Sequence, residues 1–406
     1  MAMKQTQTKL FNFSDAGLDF CFGSKNLFRD RFKKMLSLGY NVQTVSSVLV
    51  SGDQVTLTYG GAHGYVADRV LKVDSGEFAS INGGEFWIDS VTTNSIIFTM
   101  EDAPLAASPG FTTRIAPIGY ELLYEVSNIH VYKIKHFDDT DRYMRLCFQN
   151  QTARRNCISV CIGKTWDPET GFITDTSSLF GARDISIPAG VKWEFGTSAT
   201  SAFNDYTYSQ GFSSFGSAYA IGSKYHLLVF GNGSASGYTG RLVGFVPTLC
   251  HAYDPLDYPM IIGESGGSES SSGQTYGGVY ARAYIGNIRV TFATINADSM
   301  LFPTPVNGGA GASFLPATLD SFNTTTAFPI PILEFNTKHH IGYIPAGLYL
   351  CSYAETNVPS VAPVSTPSIT YDIDLDHMCA LHHLSRGSSQ STAYVIAPVE
   401  EIKLGY

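Results

Sequence analysis

Between Asn26 and Leu38 the apolar residues fall at helical spacing. Phe28, Phe32, Met35 and Leu36 share one face, and Arg29, Asp30, Lys33 and Lys34 the other. With Gly39 as a stop, the pattern predicts one short N-terminal helix. Its basic face is either a solvated surface or a contact for a partner. From Asn41 onward the period switches to two: Val48 and Val50, then Val55, Leu57 and Tyr59, then Val70, Leu71 and Val73, then Phe86 and Ile88, then Ile96 and Phe98. Turn residues punctuate these runs at Ser51 to Asp53, Gly60-Gly61, Asn82 to Gly84 and Thr93-Asn94. Short strands at that spacing predict a small β-barrel or sandwich over residues 41–115.

Past a Pro- and Gly-containing stretch at Pro104 to Gly110, longer strands follow: YELLYEV, IHVYKIKHF, RYMRLCFQN and NCISVCIGK, then KYHLLVFGN and GRLVGFVPTLCHAY. They are rich in β-branched and aromatic residues, and nothing between residues 120 and 300 holds a helical period. A larger β-sandwich is expected over 116–300. The loose segment Asn307 to Ala312 precedes a C-terminal β region, 301–406, that belongs to the same sandwich or stands beside it. The fold class expected is all-β and multidomain. Residues 1–40 are read separately. Their first 25 are polar and aromatic by turns, with Phe11, Phe13, Leu18, Phe20 and Phe22 but no strand partner of their own. They predict an arm that docks in a neighbouring subunit's groove, with the helix as its anchor.

Within the small module, VTLTYGGAHGYVADRVLKV followed by INGGEFWIDSVTTNSIIFTM resembles a β module of tailed-bacteriophage virion proteins. The likeness lies in a His-Gly loop, a strand, an Asn-Gly turn before an F-x-[VI] strand, and a Thr/Asn turn into a Phe-Thr strand. That module has Gly-Asp after the His-Gly loop, where this chain has Ala67-Asp68. The resemblance implies a loop position for His63, not a ligand role. The tetrapeptide Ile-Pro-Ala-Gly occurs at 187–190 and at 344–347, each time as a tight turn before an aromatic strand. The second copy, YIPAGLYLCSY, resembles the strand entry of jelly-roll head domains in viral fibres and related trimers.

Composition narrows the partners. The 26 Lys+Arg against 35 Asp+Glu give a net charge of -9, which disfavours nucleic acid. Charged residues are only 15% of the 406, against a usual share of about 25%. A surface so poor in charge suits a subunit covered by neighbours. No apolar run reaches the roughly 18 to 20 residues of a membrane span, and MAMKQTQTKLFNF lacks the apolar stretch of a secretory signal. The chain is therefore expected to fold in a cytoplasm without a membrane partner. Seven scattered cysteines predict free, mostly buried thiols.

Candidate chemistry is thin. IGESGGSESSSG contains G-x-S-x-G, yet Ser265 is followed by residues that cannot nucleate a helix, as a nucleophile elbow requires. Neither His63 nor His130 stands in a triad context, so an exposed loop is expected there. Asp372, Asp374 and Asp376, if on one strand, share a face that either holds a hard cation or protects a sheet edge. His377, Cys379, His382 and His383, with His339-His340, match no closed zinc pattern. Cys157 and Cys161 read as two buried thiols, and acids such as Glu194 or Asp254 cannot be paired from sequence. No catalytic residue, metal or cofactor is assigned. The expectation is a structural subunit of a tailed-phage virion, in tail or baseplate, assembled in the bacterial host cytoplasm from contacts with other virion proteins and copies of itself. The alternatives are a host-carbohydrate adhesin, a capsid decoration protein and a phage-borne depolymerase. Carbohydrate stays open as a partner.

Overall fold

A computed structural model describes residues 8–151, 156–195, 205–232, 240–263, 282–292, 295–296, 299–300, 326–352, 368–372, 377–384 and 393–399. It is all-β, built from antiparallel sheets, the largest of which curls into a half-barrel. The predicted N-terminal helix forms as an α-helix at Leu27–Lys33 that widens into a π turn at Lys34–Leu38. Phe28, Phe32, Met35 and Leu36 face the core. The carbonyls at its end are taken by other chain: Ile118 N–H donates to Met35 O at 2.8 Å and Tyr120 N–H to Leu36 O at 2.9 Å. Gly39 stops it with φ 75°, and a Cβ there would stand 2.4 Å from Ile115 O. The basic face is used within the chain, since Lys33 pairs with Glu125 and Lys34 with Asp30.

Residues 40–115 form a seven-stranded sheet. Its strands, in spatial order, are Glu85–Trp87, Val70–Val73, Thr112–Ile115, Tyr40–Ser51, Gln54–Tyr59, Ser95–Thr99 and Ser90–Val91. The first and last of these are consecutive in sequence. One stretch of chain thus touches both ends of the sheet and closes it into a small barrel. Val55, Leu57, Ile96 and Phe98 point inward, and the Phe86 and Phe98 rings stack at 4.5 Å. At Asn82-Gly83 both φ values are positive, and Gly84 N–H donates back to Ile81 O at 2.7 Å, so the turn is tight. It joins a short 3-10 segment, Glu77–Ser80, to the next strand.

A five-stranded meander, the outer sheet, comprises Glu121–Val126, Ile129–Lys135, Asp141–Phe148, Cys157–Gly163 and Lys192–Glu194. The central sheet has ten strands and is also largely a meander. It runs from Ala218–Ser223 through His226–Asn232, Gly240–Val246, Met260–Gly263, Arg282–Ile285, Ile288–Phe292, Ile330–Glu334 and His340–Ile344 to an edge at Leu249–Cys250. Its side chains alternate between two cores. Ala220, Val229, Val243 and Phe245 join the core shared with the barrel and the outer sheet. Ile221, Leu228, Phe230 and Leu242 join a second core that also receives Val395 and Ala397 from a C-terminal sheet of Thr326–Phe328, Tyr349–Ser352, Ala393–Pro398, His377–Leu384 and Ser368–Asp372. Both faces are buried, which is why these strands read as nearly continuous apolar runs. Two of the strands expected in the C-terminal region thus belong to the central sheet.

Two expectations are corrected. Phe11, Phe13, Leu18, Phe20 and Phe22 are not an arm for a neighbour, because all five are buried in this chain's own core. Lys9–Asn12 pairs with Tyr219–Gly222 as the other edge of the central sheet, sending Leu10 into one core and Phe11 into the other. The required partner exists, but far down the chain. Second, there is a helix after residue 120, at Tyr208–Phe215, opened by a capping box between Thr207 and Gln210. At eight residues it is too short to show a period, and it clamps the N-terminal segment. Tyr208 N–H donates to Asp19 Oδ1 and Asn26 N–H to Asp205 Oδ1, both at 3.0 Å.

Candidate functional site

Two turns face each other across an open cleft of about 390 Å³. One is the outer-sheet hairpin at His136 to Thr140, closed by His136 N–H on Thr140 O at 2.9 Å. The other is the 3-10 turn Asp254–Leu256, with Pro255 setting its first residues and Leu256 N–H donating to Tyr253 O at 2.8 Å. His136, Asp138, Cys250, Tyr253, Asp254 and Asp257 line the space between them.

Asp257 is the electrostatic centre. Its carboxylate accepts from Lys164 Nζ at 2.8 Å and Arg142 NH2 at 3.0 Å, and lies 3.3 Å from His136 Nε2. Behind it, Tyr258 donates its hydroxyl hydrogen to Asp175 Oδ2 at 2.7 Å, and Lys164 Nζ sits 4.9 Å from the Tyr258 ring centre. Burial, then the neighbouring Arg142 charge, pushes the His136 imidazole down to about 4. It is neutral near pH 7. With Nε2 carrying its hydrogen toward Asp257, Nδ1 takes no hydrogen bond among the described residues.

A histidine held by an aspartate beside the Cys250 thiol invites a nucleophile–base reading. The electrostatics argue against it. Burial pushes the Cys250 thiol up to about 11, with Thr248 its hydrogen-bond partner, so at neutral pH the thiolate is scarce. An imidazole at about 4 is also a weak base. What the cleft offers is a polar surface with an exposed aromatic ring, Tyr253, and a free strand edge.

A second cleft, of about 420 Å³, lies between the N-terminal segment and the barrel loop, lined in part by Asn12, Asp15, Asp68 and Arg69. Its charges are satisfied internally. Arg69 grips Asp15 with two nitrogens, at 2.8 and 2.9 Å, and the Tyr40 hydroxyl donates to the same carboxylate at 2.8 Å.

The residues singled out in the sequence scatter. Asp372 is the last residue of strand Ser368–Asp372 and pairs with His377 of the antiparallel strand His377–Leu384. Asp374 and Asp376 lie outside the described residues. Ser265 also lies outside them. His63 is a loop residue, as the resemblance implied. Its Nδ1 accepts from Tyr65 N–H at 2.9 Å and its ring packs on Tyr59 and Tyr65. His130 is buried, bonded to the Tyr132 hydroxyl at 2.9 Å and pushed down to about 4 by burial. Cys379 is buried, and His382 is bonded to the Tyr219 hydroxyl at 3.1 Å, in the second core. His377 and His383 share their strand, His377–Leu384, whereas His339-His340 stand at the central sheet, at its strand His340–Ile344. No group of three metal-donor side chains is close enough to hold an ion among the described residues. Cys157 and Cys161 are buried thiols outside any disulfide, as expected, and so are Cys21 and Cys147. Glu194 is buried near Lys192, 3.9 Å away, and does not face Asp254 across the cleft. Of all these, only Asp254 lines the cleft. Its other members come from HFDDTD and YDPLD, two Asp-rich turns whose spacing carries no motif, and from the strand edge at Thr248 to Ala252.

No family model matches the chain, and no curated protein or solved structure matches it either. Among the described residues no helix is long and apolar enough to cross a membrane.

Proposed function

We propose that this chain is a structural subunit that works through protein–protein contacts, and that the assembly is a tailed-phage virion, in its tail or baseplate. The observation that carries the contact reading is a pair of large apolar side chains side by side in water. Leu249 and Tyr343 are cross-strand partners at the edge of the central sheet, 41% and 46% exposed. Scattered exposed leucines need no explanation, but an adjacent pair together with a second exposed ring, Tyr253, favours a covering partner. The charge content of 15% points the same way. The virion setting rests on the resemblance of residues 55–100, where the His-Gly loop leads into strand Val70–Val73 and the Asn-Gly turn into strand Glu85–Trp87.

The test is mass spectrometry and reconstruction of particles purified from cells that express the tagged chain alongside the rest of its genome. The expected result is a stoichiometric component with a neighbour over Leu249 and Tyr343. Particles that lack the chain, or a purified chain that cleaves polysaccharide, would overturn the reading.

A further inference from the structure

We infer that the sheet edge at Leu249–Cys250 takes up an extended, basic segment of another protein chain as an added β-strand. The inference rests on the assembly reading and names the kind of contact that one surface makes.

The backbone register exposes the edge. Leu249 pairs with Tyr343 and Cys250 with Gly342, and His251 N–H donates to Ile341 O at 2.9 Å. In an antiparallel ladder hydrogen-bonded and non-bonded pairs alternate. The pairs at His251 and Leu249 are bonded, so the N–H and C=O of Cys250 turn away from Gly342. On that side the cleft opens. It is lined by Leu249, Cys250 and His251 and by His136 and Asp138 opposite, while strand His340–Ile344 contributes nothing to its walls. Among the described residues, room and unpaired backbone coincide.

The edge is also held firmly. A Cβ on Gly342 would stand 2.3 Å from Leu249 O, so glycine permits an approach that any side chain would push apart. An edge fixed in this way loses little freedom when a strand adds to it.

Side chains around the edge select the occupant. Leu249 and Tyr253 offer apolar contact. The charged lining is Asp138, Asp254 and Asp257, with no lysine or arginine among the described residues of the walls. Asp257 is already neutralised by Arg142 and Lys164, which leaves Asp138 and Asp254 for an incoming cation. The Tyr253 ring adds a face on which a lysine or arginine can rest. A strand alternating basic and apolar residues meets both features, since every second side chain shares a face. A neutral sugar would use Tyr253 and the carboxylates, but not the Cys250 backbone.

The experiment titrates the full chain with a fluorescein-labelled peptide of alternating lysine and valine, about eight residues long, and reads anisotropy. Two controls accompany it: the same peptide with glutamate for lysine, and the lysine peptide N-methylated on alternate residues. The lysine peptide should saturate, and each control should bind about tenfold or more weakly. Tyr253→Ala and Asp254→Asn should each weaken binding about threefold or more, with circular dichroism and Tm unchanged because both side chains are at the surface. No saturable binding, equal binding of the glutamate peptide, or indifference to N-methylation overturns the inference. So does full competition by a neutral oligosaccharide. Peptide binding by a chain absent from particles would sink the virion reading and leave the edge standing. A chain present in particles that binds no peptide would do the reverse.

Discussion

Asp15 and Arg69 meet in a buried ion pair that joins the N-terminal segment to the barrel across 54 residues of chain. The carboxylate is fully engaged, taking two guanidinium nitrogens, the Tyr40 hydroxyl and the Asn12 N–H at 3.0 Å. Partners of this quality hold Arg69 above its ordinary value against the burial that opposes its charge, the Asp15 charge being the main favourable cause. They also fix where the first strand enters the central sheet.

Breaking the pair from one side leaves a buried charge alone. Asp15→Ala should lower stability by about 3 to 5 kcal/mol, and Arg69→Met by a similar amount. The double variant should lose less than the sum, because neither orphan remains. Urea unfolding of the three variants checks this. A single variant within about 1 kcal/mol of the parent would show that the pair is not a structural clamp.

The N-terminal segment should be indispensable for folding. Five core side chains, Phe11, Phe13, Leu18, Phe20 and Phe22, each contribute about 1.5 to 3 kcal/mol on burial, which together rivals the total stability of a typical domain. Deleting residues 1–22 should therefore give a protease-sensitive chain without a cooperative melt. A gentler probe is Gly231→Ala, whose Cβ would stand 2.1 Å from the Phe22 ring. It should cost about 1 to 3 kcal/mol by forcing that ring off its site. A truncated chain that melts like the full one would contradict the core placement.

Three buried histidines predict an acid-sensitive fold. Burial pushes His130 and His136 down to about 4 and His226 to about 3, whereas in the unfolded chain each titrates near 6.5. Between those values the unfolded state binds more protons. The stabilisation is therefore complete above about pH 6.5 and lost as pH falls toward 4 and then 3, by up to about 3 kcal/mol for each histidine. Unfolding free energies measured from pH 7 to pH 4 should fall, and His226→Gln should flatten the slope. A flat profile over that range would mean that the imidazoles charge without penalty.

How much of this was legible follows from where each partner lies. The barrel's alternation at Val55, Leu57 and Tyr59 is local, and so is the amphipathic turn from Phe28 to Leu36; both read correctly. The strand at Lys9–Asn12 buries both faces, so Leu10 and Phe11 show no alternation, and its pairing with Tyr219–Gly222 leaves no local mark. Of the Asp-x-Asp-x-Asp at residues 372–376, Asp372 alone is described, at the end of strand Ser368–Asp372 and paired with His377. Behind the cleft Arg142 meets Asp257, 115 residues away, and only the folded sheets bring that strand and that turn together.

Arg145 yields the last prediction. It is buried on the outer face of the outer sheet, and its hydrogen bonds go to backbone carbonyls: Nε to Gly171 O at 3.0 Å, NH1 to Ala182 O at 3.4 Å and NH2 to Ile185 O at 2.6 Å. One side chain thus fastens the long loop over this face. Cys161 is the cross-strand partner of Arg145, and the loop's Leu179 O lies 3.8 Å from its sulfur. Burial beneath the loop pushes the Cys161 thiol up to about 12. In Arg145→Met three carbonyls lose their donor, at about 1 to 3 kcal/mol for each one that stays buried, so the loop should lift rather than keep them dry. Cys161, once wetted, should move toward the ordinary thiol value near 8.5 and become reactive. Thiol labelling of the folded variant, mapped by mass spectrometry, should then find Cys161 modified well before the parent's, with new protease cuts between Gly171 and Ile185. If Cys161 stays protected and the loop uncut, the loop is held by its own packing, and the arginine is a passenger.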